Sequence, residues 1–337
     1  MRLNLHNSIF TQKNDIDLSH ILVEAYKKRL SVHVVEEANY NLWVSERTKS
    51  EQAQWALVIK SSASLHMNAN TTCVFQISDD IGRSDWGAKI PNVHINDVDY
   101  ILRLPITVAV ENSRNDRNFL LSVCKSSLRE RLLELEKQQA LVFDGGGGIN
   151  ELVHNMKDKY ISHPAKKYKH WMLFDGDSTR PGEIVGSAND LIHLCNENDY
   201  NNFHCLSRRA IENYLPISDN IDIEELYSLF HVDDDEFKER LVCFSNLSKE
   251  QRYHYHMKEG LTKTNCKDSG LYNDFDKKTK KLIGKGFKIR IDSIFDCGKD
   301  ASFEDFEPIH QLHIKADTPK EMSALLRQLD FNTRKMK

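Results

Sequence analysis

The sequence predicts an α/β chain built round a four-stranded parallel sheet with helices on both faces, an N-terminal α+β region and a mostly helical C-terminal extension. Two observations carry this. Between residues 104 and 216 the apolar pattern switches four times from a short continuous run to helical spacing, and strand–turn–helix repetition of that kind makes parallel sheets. The 337 residues, 40% hydrophobic and 28% charged, supply a packed core and are too apolar for wholesale disorder. That length suggests two domains, or one large domain with appendages. The pattern divides the chain at 1–103, 104–216 and 217–337.

The elements follow in order. Asp17 to Leu30 carries Leu18, Ile21, Leu22 and Ala25 at helical spacing, and Ser31 to Val35 and Thr72 to Ile77 are β-rich. No chemical motif stands in this first region, which reads as an accessory or partner-docking part. The centre is more regular. Ile106–Val110 is an apolar run that turns at Glu111 and leads into one long helical pattern from Phe119 to Leu135. Leu141–Phe143 ends in the run Gly145–Gly148, with Ile149–Met156 helical behind it. Trp171–Phe174 ends in Asp175-Gly176-Asp177, with Ser187–Cys195 helical after it. Phe203–Leu206 is the fourth strand, and Arg208–Leu215 reads as a helix that Pro216 stops.

Charge is uneven under a net −4. Asp219 to Glu236 holds eight acidic side chains and no Lys or Arg, whereas Lys277 to Arg290 holds seven basic ones and no acid. Lys157 to His170 carries five lysines against one aspartate. Such runs are usually solvated faces or helix starts, yet two basic ones leave room for a phosphate-binding surface and a nucleic-acid partner. The seven cysteines show no CxxC spacing, which argues against a disulfide framework and a structural zinc site. No apolar run reaches the roughly 20 residues of a membrane span, and the start MRLNLHNSIF has no signal-peptide core. A soluble, reduced, cytoplasmic protein with no membrane partner is expected.

In open parallel sheets ligands bind beyond the carboxyl ends of the strands. The residues there are Glu111, the glycine run, and Asp175 with Asp177. Residues two apart on an extended chain point the same way, so Asp175 and Asp177 present two carboxylates to one point, with Gly176 giving room. Three carboxylates in one crevice repel unless a cation neutralises them. Oxygen ligands without His or Cys suit Mg²⁺ or Mn²⁺, whose chemistry is at home with phosphate esters. Gly146 and Gly147, before a helix, offer backbone N–H groups to a phosphate, or form only a tight turn. Arg208 and Arg209 are candidates for phosphate contacts in a nucleic acid.

This arrangement resembles the TOPRIM domain of topoisomerases, primases and OLD-family nucleases. The resemblance spans about Leu104 to Pro216 and rests on the strand ending in Glu111, Asp116 before Phe119, the glycine turn, Asp175-Gly176-Asp177, and Arg208 to Leu215, which is similar to the segment closing the OLD-type domain. It departs at Asn112, where the family has Gly, and by one residue in the turn, which puts Asp116 fifth after Glu111 rather than fourth. The resemblance implies two-metal cleavage of a phosphodiester, one ion activating water and the other stabilising the leaving oxygen. Carried over, Glu111, Asp175 and Asp177 are the main ligands of Mg²⁺ or Mn²⁺, and Asp116 and Glu212 belong to a second ion or its surroundings. Glu212 equally complements the first turn of its helix. Lys285, in Gly284-Lys285-Gly286, is similar to a lysine that accompanies this chemistry.

The expectation is a metal-dependent nuclease cutting DNA or RNA. The chain has no GxxxxGK[ST], so the OLD resemblance implies a separately encoded ATPase or sensor and a setting in antiviral defence, with an oligomer possible. Two other readings stay open: a topoisomerase- or primase-like DNA-processing enzyme, and a non-catalytic binding subunit of a complex. Other catalytic patterns are absent, including GxSxG and HExxH, and His254 and His256 read as surface or half-buried residues.

Overall fold

The computed structural model describes residues 1–27, 30–68, 73–145, 147–262, 269–287, 294–295, 302–316 and 320–334. The chain is α/β and forms two compact units: Met1–Ile106 with Ser162–Lys169 and Gln328–Lys337, and Thr107–Ile161 with His170–Arg327. The first boundary falls close to residue 103. None falls at 216, because residues 217–327 share a unit with the central sheet. Among the described residues no helix is long and apolar enough to cross a membrane.

The first unit runs β1 (Arg2–Leu5), α1 (Asp15–Tyr26), β2 (Ser31–Val34), α2 (Glu37–Ser45), α3 (Lys49–Asn68), β3 (Val74–Ser78), β4 (Asn92–His94) and α4 (Ile95–Arg103). Its strands lie in the order β2-β1-β3-β4 and pair in parallel, Leu3 opposite both Val32 and Phe75. The α+β expectation is therefore corrected to parallel α/β. Strands β1 and β4, four and three residues long, are too short to give a legible alternation. Leu3, Leu5, Phe75, Ile77 and Val93 fill the core, joined by Ala165 from the returning segment.

The second unit begins with β5 (Ile106–Val110), followed by α5 (Asn115–Val123), α6 (Ser126–Lys137), β6 (Leu141–Asp144), α7 (Ile149–Asn155), β7 (His170–Phe174), α8 (Ser187–Glu197) and β8 (Phe203–Cys205). Strand order is β6-β5-β7-β8. β7 runs parallel to β5 and β8, with Val108 opposite Trp171 and Met172 opposite Phe203. Every residue of β5 and β7 is buried, as continuous apolar strands covered on both faces must be. Ala109, Met172 and Phe174 pack against Leu152 of α7 and Leu191 of α8 on one face.

Two expected helices differ. The pattern from Phe119 to Leu135 is broken at Cys124, whose backbone is extended (ψ 141°). The buried Arg129 of α6 donates to the carbonyls of Leu121 and Cys124 at 2.9 and 3.2 Å, satisfying the open end of α5. Arg208–Leu215 is not an α-helix: only Ile211–Tyr214 makes a single 3₁₀ turn. Asn213 takes over instead, accepting from the Ala210 amide and donating to the Arg252 and Tyr255 carbonyls, so side-chain bonds replace the helical ladder.

Beyond β8 the described elements are helical, including α9 (Ile223–Ser228), α10 (Asp235–Ser245) and α11 (Lys249–His254). The acidic run marks helix starts, Asp222 and Asp234 accepting from the Glu224 and Phe237 amides. This part closes on the sheet unit through Phe119 against Phe295 (ring centroids 5.4 Å apart) and the His310 ring on the Ser122 carbonyl (3.1 Å).

Candidate active site

The order β6-β5-β7-β8 has one reversal. The chain leaves β5 for β6 on one side and returns to β7 on the other, so the carboxyl ends of β5 and β7 flank the switch point where open α/β sheets bind ligands. Glu111 follows β5 and Asp175 follows β7, and the Asp175 amide donates to Glu111 Oε1 at 2.8 Å. A cleft of about 360 Å³ opens here, lined by Glu111, Asp116, Asp175 and Glu212 together with Lys258.

Each carboxylate is held by its own local device. Asp116, in the first turn of α5, accepts from the Asn112 amide at 2.8 Å and closes the turn after β5. Asp175 accepts from the Ile211 amide at 3.2 Å, tying β7 to the 3₁₀ turn that carries Glu212. Burial, then the charges of Asp177 and Glu212, push Glu111 up to about 7 against two amide hydrogen bonds that pull it down. Burial, then Glu111 and Glu212, push Asp116 up to about 8. Asp175 is raised by burial and by all four neighbouring acids. These shifts are the signature of like charges crowded out of water.

Two close backbone approaches need glycine. A Cβ on Gly176 would stand 2.5 Å from the Leu206 carbonyl oxygen, and one on Gly145 would stand 2.2 Å from that of Val110. The glycine run thus folds β6 hard against the end of β5. The Gly147 and Gly148 amides point to the Glu111 carbonyl at 3.4 and 3.2 Å, which makes the run a turn closed on β5 more than an open phosphate cradle. Gly147 still reaches the cleft wall. Gly146 lies outside the described residues.

Four expectations are corrected. Asp177 does not pair with Asp175 as on an extended strand: its φ is +49°, its amide donates to the Arg209 carbonyl at 3.0 Å, and its side chain is exposed. Its charge nonetheless reaches Glu111 and Asp175. Arg208 and Arg209 are buried, not offered to a phosphate. The Arg208 guanidinium lies 3.7 Å from the Tyr253 ring centroid and 4.3 Å from that of Tyr214, and donates to the Asn213 carbonyl at 2.7 Å. Arg209 reaches the His254 carbonyl at 3.5 Å. His254 is buried, with its Nδ1 3.0 Å from the hydroxyl of Ser178, the residue after Asp177.

The fourth correction concerns the lysine. Lys285 is exposed, and its flanking glycines serve packing: a Cβ on Gly286 (φ +62°) would stand 2.5 Å from the Lys258 carbonyl oxygen and the Gly260 amide nitrogen. The lysine on the cleft wall is Lys258, whose Nζ pairs with Glu212 Oε1 at 2.9 Å. Nothing in the sequence near Lys258 signals this, because the placement comes from the interlocked backbones of Gly260 and Gly286.

Four carboxylates line the cleft without imidazole or thiol donors among its described lining residues, a donor set suited to a hard divalent ion, and their crowded charge is what such an ion relieves. In that chemical sense the residues fit. As the side chains stand, no three His, Cys, Asp or Glu among the described residues are gathered closely enough to hold a metal. Backbone amides and Lys258 occupy the carboxylates instead. At the corresponding switch point of the first unit, Asp79 is paired with Lys13 at 2.6 Å.

Comparison with known protein families, curated proteins and solved structures finds no match to this chain.

Proposed function

We propose that the chain is a divalent-metal-dependent nuclease of TOPRIM type, resembling the OLD family, that cleaves phosphodiester bonds of DNA or RNA in the cytoplasm. The observation that carries this reading is the gathering of Glu111, Asp116, Asp175 and Glu212 round one cleft at the sheet switch point, with Lys258 on its wall. Glu111 and Asp175 are the assigned holders of Mg²⁺ or Mn²⁺, with Asp116 and Glu212 beside them and the exposed Asp177 adding its charge. A bound ion supplies Lewis-acid activation of water and of the phosphoryl oxygen. The protein supplies the rest: amide-anchored carboxylates held in fixed directions, a buried floor that excludes bulk water, and the Lys258 ammonium to meet charge developing on phosphate. The OLD resemblance alone suggests a separately encoded ATPase or sensor as the controlling partner and antiviral defence as the setting.

One observation favours a second reading, a non-catalytic nucleic-acid or protein-binding subunit: the carboxylates are not yet brought within ligating reach of one another. Cleavage of plasmid, linear duplex, single strands and total tRNA in Mg²⁺ or Mn²⁺ separates the two. Cutting that needs the ion and disappears in Asp175→Ala is the expected result. Cutting that survives Asp175→Ala refutes the site, and silence on every substrate with the partner present favours the binding subunit.

A further inference from the structure

Among the described residues that line it, the acidic cleft carries one cationic side chain, Lys258. Glu212 is almost wholly buried, its side chain 5% exposed, while Lys258 is half-exposed and reaches it from the open side of the cleft. At 2.9 Å its ammonium lies against Glu212 Oε1, one of the two oxygens that Glu212 could offer a second divalent ion. A compact, strongly charged ammonium and a dication on one carboxylate repel each other across so short a distance, so the ammonium competes with a second ion for Glu212.

Lys258 is also held where it is. The Gly260 amide donates to the His256 carbonyl at 2.7 Å and the Phe287 amide to the Met257 carbonyl at 2.6 Å, bracketing Lys258 on both sides. Gly260 and Gly286, both in the left-handed region, let these two backbones meet so closely that a Cβ on Gly260 would stand 2.2 Å from the Gly286 nitrogen. The lysine therefore projects from a braced segment and only its side chain has freedom to turn.

From this geometry we infer that Lys258, paired with Glu212, takes the place of the second cation, so that the cleft binds a single divalent ion on its Glu111 and Asp175 side. The inference rests on the metal-dependent reading above and changes it in one respect: Glu212 and Lys258 form a built-in ion pair in place of a second metal site. The chemistry would then run with one exchangeable ion and one fixed ammonium. Phosphate approaching the cleft would meet the ion on the β5–β7 side and the ammonium on the Glu212 side.

The test is Mn²⁺ binding to the full chain, followed by electron paramagnetic resonance of free Mn²⁺ and by titration calorimetry, with circular dichroism to establish that each variant is folded. Wild type is expected to take up one ion per chain. Lys258→Met, with Lys258→Gln as its alternative should Met fail to fold, is expected to take up two, and Lys258→Arg to stay at one. Glu212→Gln removes a charged oxygen of the excluded second site and is expected to take up no more than one ion. Two ions in wild type, or one in the folded Met and Gln variants, overturns the role of Lys258 and leaves the metal site itself standing. No uptake in wild type or any Lys258 variant overturns the metal-dependent reading and this inference with it.

Discussion

Glu111→Gln removes one negative charge from the crowded cleft while keeping the shape of the side chain, and its effect on stability depends on pH in a calculable way. Unfolded, Glu111 loses its proton near 4.5; folded, it keeps it to about 7, because burial and the neighbouring acids oppose ionisation. The folded chain thus binds more protons than the unfolded chain between those values, so stability falls as pH rises through the window and the loss is complete above about 7. At about 1.4 kcal/mol per pH unit the loss amounts to roughly 3 kcal/mol. Glutamine escapes it. Its oxygen still accepts from the Asp175 amide, but its NH₂ cannot accept the second amide bond, from Ile149, which costs about 1 kcal/mol. The variant should be about 2 kcal/mol more stable than wild type at pH 8 and roughly as stable as wild type at pH 5, where ionisation of the unfolded carboxyl has already removed about 1 kcal/mol of the wild-type stability. Urea denaturation followed by circular dichroism at the two pH values measures both differences. A variant that is no more stable at pH 8, or whose difference from wild type is the same at both pH values, refutes the claim that like-charge crowding strains this cleft.

Gly176→Ala should destabilise the second unit by about 1–3 kcal/mol, because its Cβ meets the Leu206 carbonyl, a backbone atom that cannot swing away. Gly82→Ala, which meets nothing within 4 Å, should leave the melting temperature nearly unchanged. Arg208→Lys should lose about 1–2 kcal/mol, since an ammonium cannot replace a planar group stacked between two tyrosines. Arg208→Gln, which removes the charge, should leave the salt dependence of nucleic-acid binding as it was, whereas loss of a true phosphate contact would reduce that slope by about one.

The four central strands were legible because each is a short apolar run bounded by a turn, and Ile106–Val110 appears with the expected limits. The acids Glu111 and Asp175 were legible for the same reason: they are the residues at which those runs end. Other features depend on partners distant in sequence, which no local pattern records. Arg208 to Ala210 has helix-forming residues but is drawn out by bonds to Tyr253 and Asn213. Asp177 breaks the alternation of the strand before it because the loop is pulled to Arg209. Lys258 and Lys285 show the limit most clearly. The glycines round Lys285 are a visible motif, yet their physical role is to let another segment pass, and it is that segment that brings a lysine to the cleft.

The pairing of Phe119 with Phe295, and of His310 with Ser122, also bears on synthesis from the ribosome. The first unit takes in the core residue Ala165 after β5 has been made, and Gln328–Lys337 only after the helices of the second unit. The second unit begins earlier, at β5, but its core stays open until the helix Glu307–Lys315 emerges and reaches back to α5. During that interval the nascent chain displays strand ends bearing Glu111 and Asp175 before Lys258 has been added. Vectorial synthesis thus delivers the acids first and the lysine afterwards, and the cleft acquires its full set of charges only once residue 258 has been made.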